Sequence, residues 1–339
     1  MCSSDLTVWF SDGTIVLVVE DEAFCVYGGM LAQSSAVFRD MLLVPQLDAA
    51  ETFEGRPLVR LHDSKLDLTY FLKALHNPRH VPAIIPNPAN YRLTSTRKTH
   101  SFYYATKSHK FEVIAGVLRV STKYAVQSLR KRSIQLLSLV YPNTFKEMQR
   151  LWKPGESKPR PRDSKFDGLE VRALQLAREC RVPILLPFLL YRCCLFPTVD
   201  IAIGTVYPSD SGGETLDPSD RLRCLKAKGV LYEQMRSEYT AAFLYRDSTD
   251  KACGTKRVCD HLRLQILKKL EDSIASYGFC NFLDLQELRW QDVDTLCVHC
   301  RHQCYDDFKN AQVRLWDELP NIFGLDDWPT IRSKMGDDL

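Results

Sequence analysis

The sequence predicts an α+β fold, with a small sheet near the N-terminus and helices from there to the end of the chain. Three observations predict it. Ile15 to Val19 and Phe24 to Val26 carry a period-two, β-branched pattern, separated only by charged residues and Ala23. Leu58 to Leu61 repeats that strand character. From Leu66 onward, wherever a pattern exists, apolar residues recur at spacings of three and four.

The first strand sets Ile15, Leu17 and Val19 against Val16, Val18 and Glu20. It is apolar on both faces and should be buried on both. Glu20-Asp21-Glu22 breaks it, and Phe24 and Val26 resume the period. Strands joined this closely can only pair antiparallel. Cys25 alternates with Phe24 and Val26, so it should face away from them. Leu31, Ser35, Phe38 and Leu42 recur at helical spacing and predict one helix. Phe24, Leu31 and Phe38 are the expected core of this region. Pro45 to Gly55 is polar and broken by Pro and Gly, and reads as a loop. Leu66, Tyr70, Phe71 and Leu75 predict the next helix.

Residues 78–110 break the pattern. Pro78, Pro82, Pro86 and Pro88 interrupt them, and no Asp or Glu occurs from Leu68 through Phe111. Lys73, Arg79, Arg92, Arg97, Lys98, Lys107 and Lys110 make the stretch basic. Two readings stand. It is either a basic loop that contacts an acidic partner or a phosphate backbone, or a solvated, poorly ordered insertion. Order resumes at Glu112: Val113, Ile114, Val117 and Leu118 mark one helix, and Leu129, Ser133, Leu136, Leu137 and Val140 a second, ending before Pro142. Arg130-Lys131-Arg132 reads as that helix's exposed face.

Asn143-Thr144 offers an N-cap for a helix from Phe145 to Trp152. Lys153 to Lys165 is a Pro/Lys/Arg linker. Gly168 to Val182 is amphipathic through Leu169, Ala173, Leu176, Ala177 and Cys180. Pro183 to Cys194 is apolar all round and should be buried. Asp217 and Pro218 are a natural cap and first residue for a long helix through Leu222, Leu225, Leu231, Met235, Tyr239 and Phe243.

Composition narrows the function classes. The 339 residues are 45% hydrophobic, enough for more than one core. The formal net charge is only +3, from 45 basic and 42 acidic residues, which argues against a dedicated nucleic-acid binder. The N-terminal MCSSDLTVWF has no basic-then-apolar leader, and no run approaches the roughly 18 apolar residues of a membrane span. An intracellular, soluble protein is expected, and its 12 cysteines should be reduced. Three enzyme signatures are absent: the Gly-x-Ser-x-Gly elbow, the Gly-x4-Gly-Lys-Ser/Thr loop and a post-strand Gly-x-Gly-x-x-Gly.

The cysteines of the C-terminal third carry the one suggestion of site chemistry. Cys253-x5-Cys259 lies just before a helix from Leu262 to Tyr277. Cys297-x2-Cys300 opens another, running to about Leu319. Zinc prefers four thiolate or imidazole ligands in a tetrahedron, and a close pair supplies two from one segment. Cys253, Cys259, Cys297 and Cys300 are therefore candidate ligands of one structural zinc, with His299 and His302 as substitutes. The competing reading is core packing. Cys297, Cys300 and Cys304 fall on one helical face, and the five-residue gap in the first pair is wider than usual. Cys2, Cys25, Cys193, Cys194, Cys224 and Cys280 read as core or incidental.

Several of these residues together carry a resemblance. Asp12, Phe24-x-Val26, Leu31-Ala32 and Ser35-x-x-Phe38 resemble the opening of a BTB/POZ domain. GVLRVSTKYAVQSLRKRSIQLL resembles the two closing helices of such domains in a fungal, basidiomycete-type group. The helix pair after residue 168 resembles that group's helical extension. The Cys pairs with Trp316-Asp317-x-Leu319-Pro320-x-x-Phe323-Gly324-Leu325-x-x-Trp328 resemble its tail. The resemblance implies a BTB/POZ domain at 8–142 interrupted by the 78–110 insertion, a helical extension at 143–245 and a Cys-rich helical tail at 246–335. It also implies a non-catalytic interaction module, self-associating as a homodimer or recruiting a partner such as a cullin-type scaffold. Tyr27 and Gly28 stand where many BTB domains carry His and a basic residue. Leu42-Leu43-Val44-Pro45-Gln46 lacks the acid of the common cullin signal. The alternative class is a zinc-containing nuclear regulator that contacts nucleic acid through the basic insertion.

Overall fold

A computed structural model describes residues 8–43, 51–76, 102, 109–151, 168–206, 214–244, 252–277, 283 and 290–338. The fold is mixed α and β. The chain forms two compact units, 1–137 with 337–339, and 138–336. The second unit thus contains both the expected helical extension and the Cys-rich tail. All of 153–165 and most of 78–110 lie outside the described residues. Within the latter, Phe102 is buried and its carbonyl accepts from Arg132 Nε at 3.3 Å, so at that residue the segment is packed.

The first unit is built on a four-stranded sheet of order β2-β1-β4-β3. β1 (Ile15–Val19) pairs antiparallel with β2 (Glu22–Val26) through a left-handed turn at Glu20, φ 52°. β4 (Arg56–Arg60) runs parallel to β1, Leu17 facing Val59. A parallel neighbour needs a crossover, which α1 (Gly28–Ser34), α2 (Ala36–Leu43) and β3 (Thr52–Phe53) supply. Ile15, Val16, Leu17, Val19, Phe24, Cys25 and Val26 are all buried, as expected of strands covered on both faces.

Three expectations are corrected here. The single helix expected through Leu31 and Leu42 is two, because Ser35 is extended (φ −142°, ψ 122°). Its hydroxyl accepts from Phe38 N at 3.0 Å, capping α2, and donates to the Tyr124 carbonyl 89 residues away. The loop expected over Pro45–Gly55 contains the edge strand β3, paired with β4 as Phe53 to Arg56. Arg130 is buried rather than exposed: it donates to Thr122 Oγ1 and to Asp338 Oδ2, 208 residues away.

α3 (Lys65–Leu75) packs on α4 (Phe111–Lys123), and α5 (Gln127–Ser138) follows. Gly116 sets the α3–α4 distance. A Cβ there would stand 2.7 Å from Asp67 Oδ1 and 3.1 Å from the Tyr70 ring. Phe38 lies in the core these helices close, stacked on Tyr124 at 4.3 Å and on Phe71 at 6.5 Å.

The second unit opens with α6 (Phe145–Leu151), capped by Thr144 Oγ1 accepting from Glu147 N. α7 (Glu170–Glu179), a 3-10 turn (Pro183–Leu185) and α8 (Leu186–Cys194) follow, and α8 is buried at all positions but Arg192. That arginine meets the buried Glu170 at 2.7 Å. The region is not all-helical as expected. After α9 (Thr198–Ile203), β5 (Thr205–Val206) and β6 (Glu214–Thr215) form a two-stranded ribbon. Such short strands fall below the length at which periodicity can register.

α10 (Pro218–Leu244) begins where Asp217 Oδ1 accepts from Ser219 N at 2.9 Å. Its buried stripe is Asp220, Cys224, Ala227, Leu231, Met235 and Ala242; Leu222 is exposed, off the stripe. α11 (Lys256–Tyr277), α12 (Trp290–Val293), α13 (Val298–Ile322) and α14 (Trp328–Met335) complete the unit. α10 packs on α8, α11 and α13.

The Trp316–Trp328 phrase is one local device. Pro320, inside α13, has no N–H to give the Trp316 carbonyl. Trp328 Nε1 donates to that carbonyl instead, at 2.8 Å, and the two indoles stack 5.4 Å apart. Gly324, left-handed at φ 61°, closes α13, with Gly324 N bonding Asn321 O and Leu325 N bonding Pro320 O. This paired closure requires the left-handed residue that glycine accepts most readily.

Candidate metal centre

The four candidate cysteines converge. Their sulfur atoms all lie within 4.8 Å of one another. Cys253 sits in the turn before α11, and Cys259 is in that helix's first turn. α11 therefore starts earlier than the Leu262 expected from the sequence, at Lys256. Cys297 is the N-cap of α13, its Sγ accepting from Cys300 N at 3.5 Å, and Cys300 follows inside that helix. The fold thus brings two helix N-termini together, each with two sulfurs.

The Cys253–Cys297 separation suits a tetrahedral ion. Metal–sulfur bonds of about 2.3 Å in a tetrahedron place sulfurs about 3.8 Å apart. Cys253 Sγ and Cys297 Sγ are 3.7 Å apart. Cys253, Cys259 and Cys300 are buried, and Cys297 is half-buried. Thr255 Oγ1 lies 3.3 Å from Cys259 Sγ, a hydroxyl placed to donate to the sulfur. These residues can hold one metal ion in a closed shell of four sulfurs. The converging set includes neither His299 nor His302.

The competing packing reading holds for one residue of the helical face. Cys304 lies a turn beyond Cys300 and is fully buried, with its Sγ 3.8 Å from the Ala242 carbonyl. Cys297 and Cys300 go to the cluster and Cys304 to the core. Cys193, Cys194 and Cys224 are likewise buried. Burial pushes the Cys193 and Cys194 thiols well above their usual range, so they stay protonated and inert. Cys25 faces away from Phe24 and Val26 by strand alternation, yet all three are buried, because both faces of β2 are covered.

Sequence reading did not find Thr255, Arg263 or Gln303. Thr255 precedes Cys259 by four residues, Arg263 follows it by four, and Gln303 follows Cys300 by three, each about one helical turn. Helical spacing from a ligand is a weak signal until the ligands are known. Among the described residues, no helix is long and apolar enough to cross a membrane. No known protein family matches the chain, and neither does any curated protein or solved structure.

Proposed function

We propose that this chain is a non-catalytic interaction adaptor, with a BTB/POZ-type first unit and a second unit stapled by one structural zinc. The observation that carries the first half is the order of elements. The β1–β2 hairpin with the helices after it opens the unit and the α4–α5 pair closes it, at the two stretches that carry the resemblance. Asp12, one of the residues behind that resemblance, accepts from Tyr27 OH at 2.8 Å. The second half rests on four sulfurs gathered within 4.8 Å of one another, three of them on buried residues. A closed shell leaves no coordination position for a substrate, which favours a structural over a catalytic metal.

Self-association or partner recruitment through the first unit is the activity this reading assigns. A tagged and an untagged copy, co-expressed and purified by the tag, should elute together if the unit self-associates. Mass spectrometry of the eluate reports any other bound protein, a cullin-type scaffold included. A monomer that retains no partner in reciprocal pull-downs would refute the adaptor reading. Tight binding to one DNA sequence over random competitor at physiological salt would favour the nuclear-regulator alternative instead.

A further inference from the structure

The sulfur cluster is unevenly shielded. Cys300 and Cys259 are 0% and 1% exposed, Cys253 is 8% exposed, and Cys297 is half-buried. Cys297 is the one described cysteine in the whole chain that is not buried. Gly254 and Val298, next in sequence to Cys253 and Cys297, are exposed. Nothing lies within 4 Å of where a Cβ on Gly254 would stand. The Cys253–Cys297 edge of the cluster therefore borders solvent.

Position along the chain sets the same pair apart. Cys253 lies in the turn before α11 and Cys297 is the N-cap of α13, whereas Cys259 and Cys300 are inside those helices. Cys253 Sγ and Cys297 Sγ stand 3.7 Å apart and belong to residues 44 positions apart in sequence. A disulfide needs the sulfurs at about 2.05 Å, an approach of roughly 1.7 Å. Residues outside the helical ladder can shift by that much without breaking its hydrogen bonds. A metal-bound cysteine is a thiolate, and the thiolate is the form that oxidants attack. Cys193 and Cys194, by contrast, are buried thiols held protonated. Among the described cysteines, a bound metal makes thiolate character and solvent access coincide at Cys297.

We propose that the Cys253–Cys297 edge is an oxidation site, where hydrogen peroxide joins the two sulfurs in a disulfide and the metal ion is released. The inference rests on the zinc reading above. The Cys297 thiolate attacks one peroxide oxygen; the O–O bond breaks, hydroxide leaves and a sulfenic acid forms. The Cys253 thiolate then attacks that sulfur; the S–S bond forms, the S–O bond breaks and a second hydroxide leaves. The two sulfurs lose two electrons, the peroxide gains them, and two protons from solvent turn the hydroxides into water. Two thiolates remain, half of the shell that a structural zinc takes. The product still ties the turn before α11 to the start of α13, by one covalent bond in place of the coordinate ones.

The test uses the zinc-loaded full chain, treated with hydrogen peroxide beside a chromophoric zinc indicator. At about one equivalent of peroxide, mass spectrometry of unreduced peptides should find Cys253 linked to Cys297, with Cys259 and Cys300 still thiols. Zinc release should rise with that linkage to about one ion per chain. Dithiothreitol with added zinc should restore the starting protein. A short pulse of iodoacetamide, without peroxide, should modify Cys297 at least about tenfold faster than Cys259 or Cys300. Linkage within one segment, Cys253 to Cys259 or Cys297 to Cys300, would overturn the oxidation site and leave the zinc reading standing. So would equal labelling of all four cysteines, or zinc retained as peroxide is consumed. A chain that binds neither zinc nor cobalt would overturn the zinc reading, and this inference with it.

Discussion

Trp328→Phe isolates the device at the end of α13. The substitution keeps an aromatic ring over Trp316 and removes the N–H that reaches its carbonyl at 2.8 Å. Pro320 offers that carbonyl no helical donor, so the oxygen is left buried without it. An unsatisfied buried acceptor costs about 1–3 kcal/mol. Losing the second ring of a side chain only 5% exposed adds about 1–2 kcal/mol of cavity and contact loss. The total is about 2–5 kcal/mol, a large share of a domain's margin. Pro320→Ala separates the two contributions. It supplies an amide at position 320, four residues after Trp316, so in that background Trp328→Phe should cost only the packing part. The coupling between the two changes should be about 1–3 kcal/mol. Hydrogen exchange of peptides from α13 and α14, read alongside urea unfolding, keeps the measurement local in a chain of two units. An equal cost of Trp328→Phe in both backgrounds, within about 0.5 kcal/mol, would refute the reasoning.

Three further outcomes follow from the packing and the cysteines. Phe38→Ala empties a site stacked on Tyr124 and Phe71 and should cost about 3–5 kcal/mol by denaturant unfolding of the first unit; unchanged melting would show that α2 does not pack as described. Gly116→Val forces a side chain into Asp67 and Tyr70 and should cost about 1–3 kcal/mol, whereas a neutral result would mean that α4 can withdraw from α3 freely. Elemental analysis of protein purified without added metal should find one zinc per chain. A chelator, or acid that protonates the thiolates, should then lower exchange protection at the starts of α11 and α13 and leave β1–β4 protected. Zinc near zero with chelator-insensitive protection would make the four cysteines ordinary core residues.

Much of the chain could be read from local pattern alone. Alternation over Ile15–Val26 determined a hairpin buried on both faces. The apolar run Pro183–Cys194 determined a buried helix, and Asp217-Pro218 marked the start of α10 to the residue. The two cysteine pairs identified the candidate centre because two close pairs of thiols can together supply the four ligands that zinc takes.

What the sequence left open depends on atoms far away along the chain. Leu31, Ser35, Phe38 and Leu42 keep helical spacing across a break that Ser35 makes by bonding Tyr124. Arg130 looks like surface until Asp338 returns to it, 208 residues later. Cys297, Cys300 and Cys304 share a helical face, but they separate into two members of the sulfur cluster and one core residue. α13 meets α11 at its first turn and α10 one turn further on. Period and composition record which face of an element is buried, because that is a property of the element itself. Which acceptor, sulfur or counter-charge waits on the other side belongs to the packing of distant elements, and only the tertiary structure decides it.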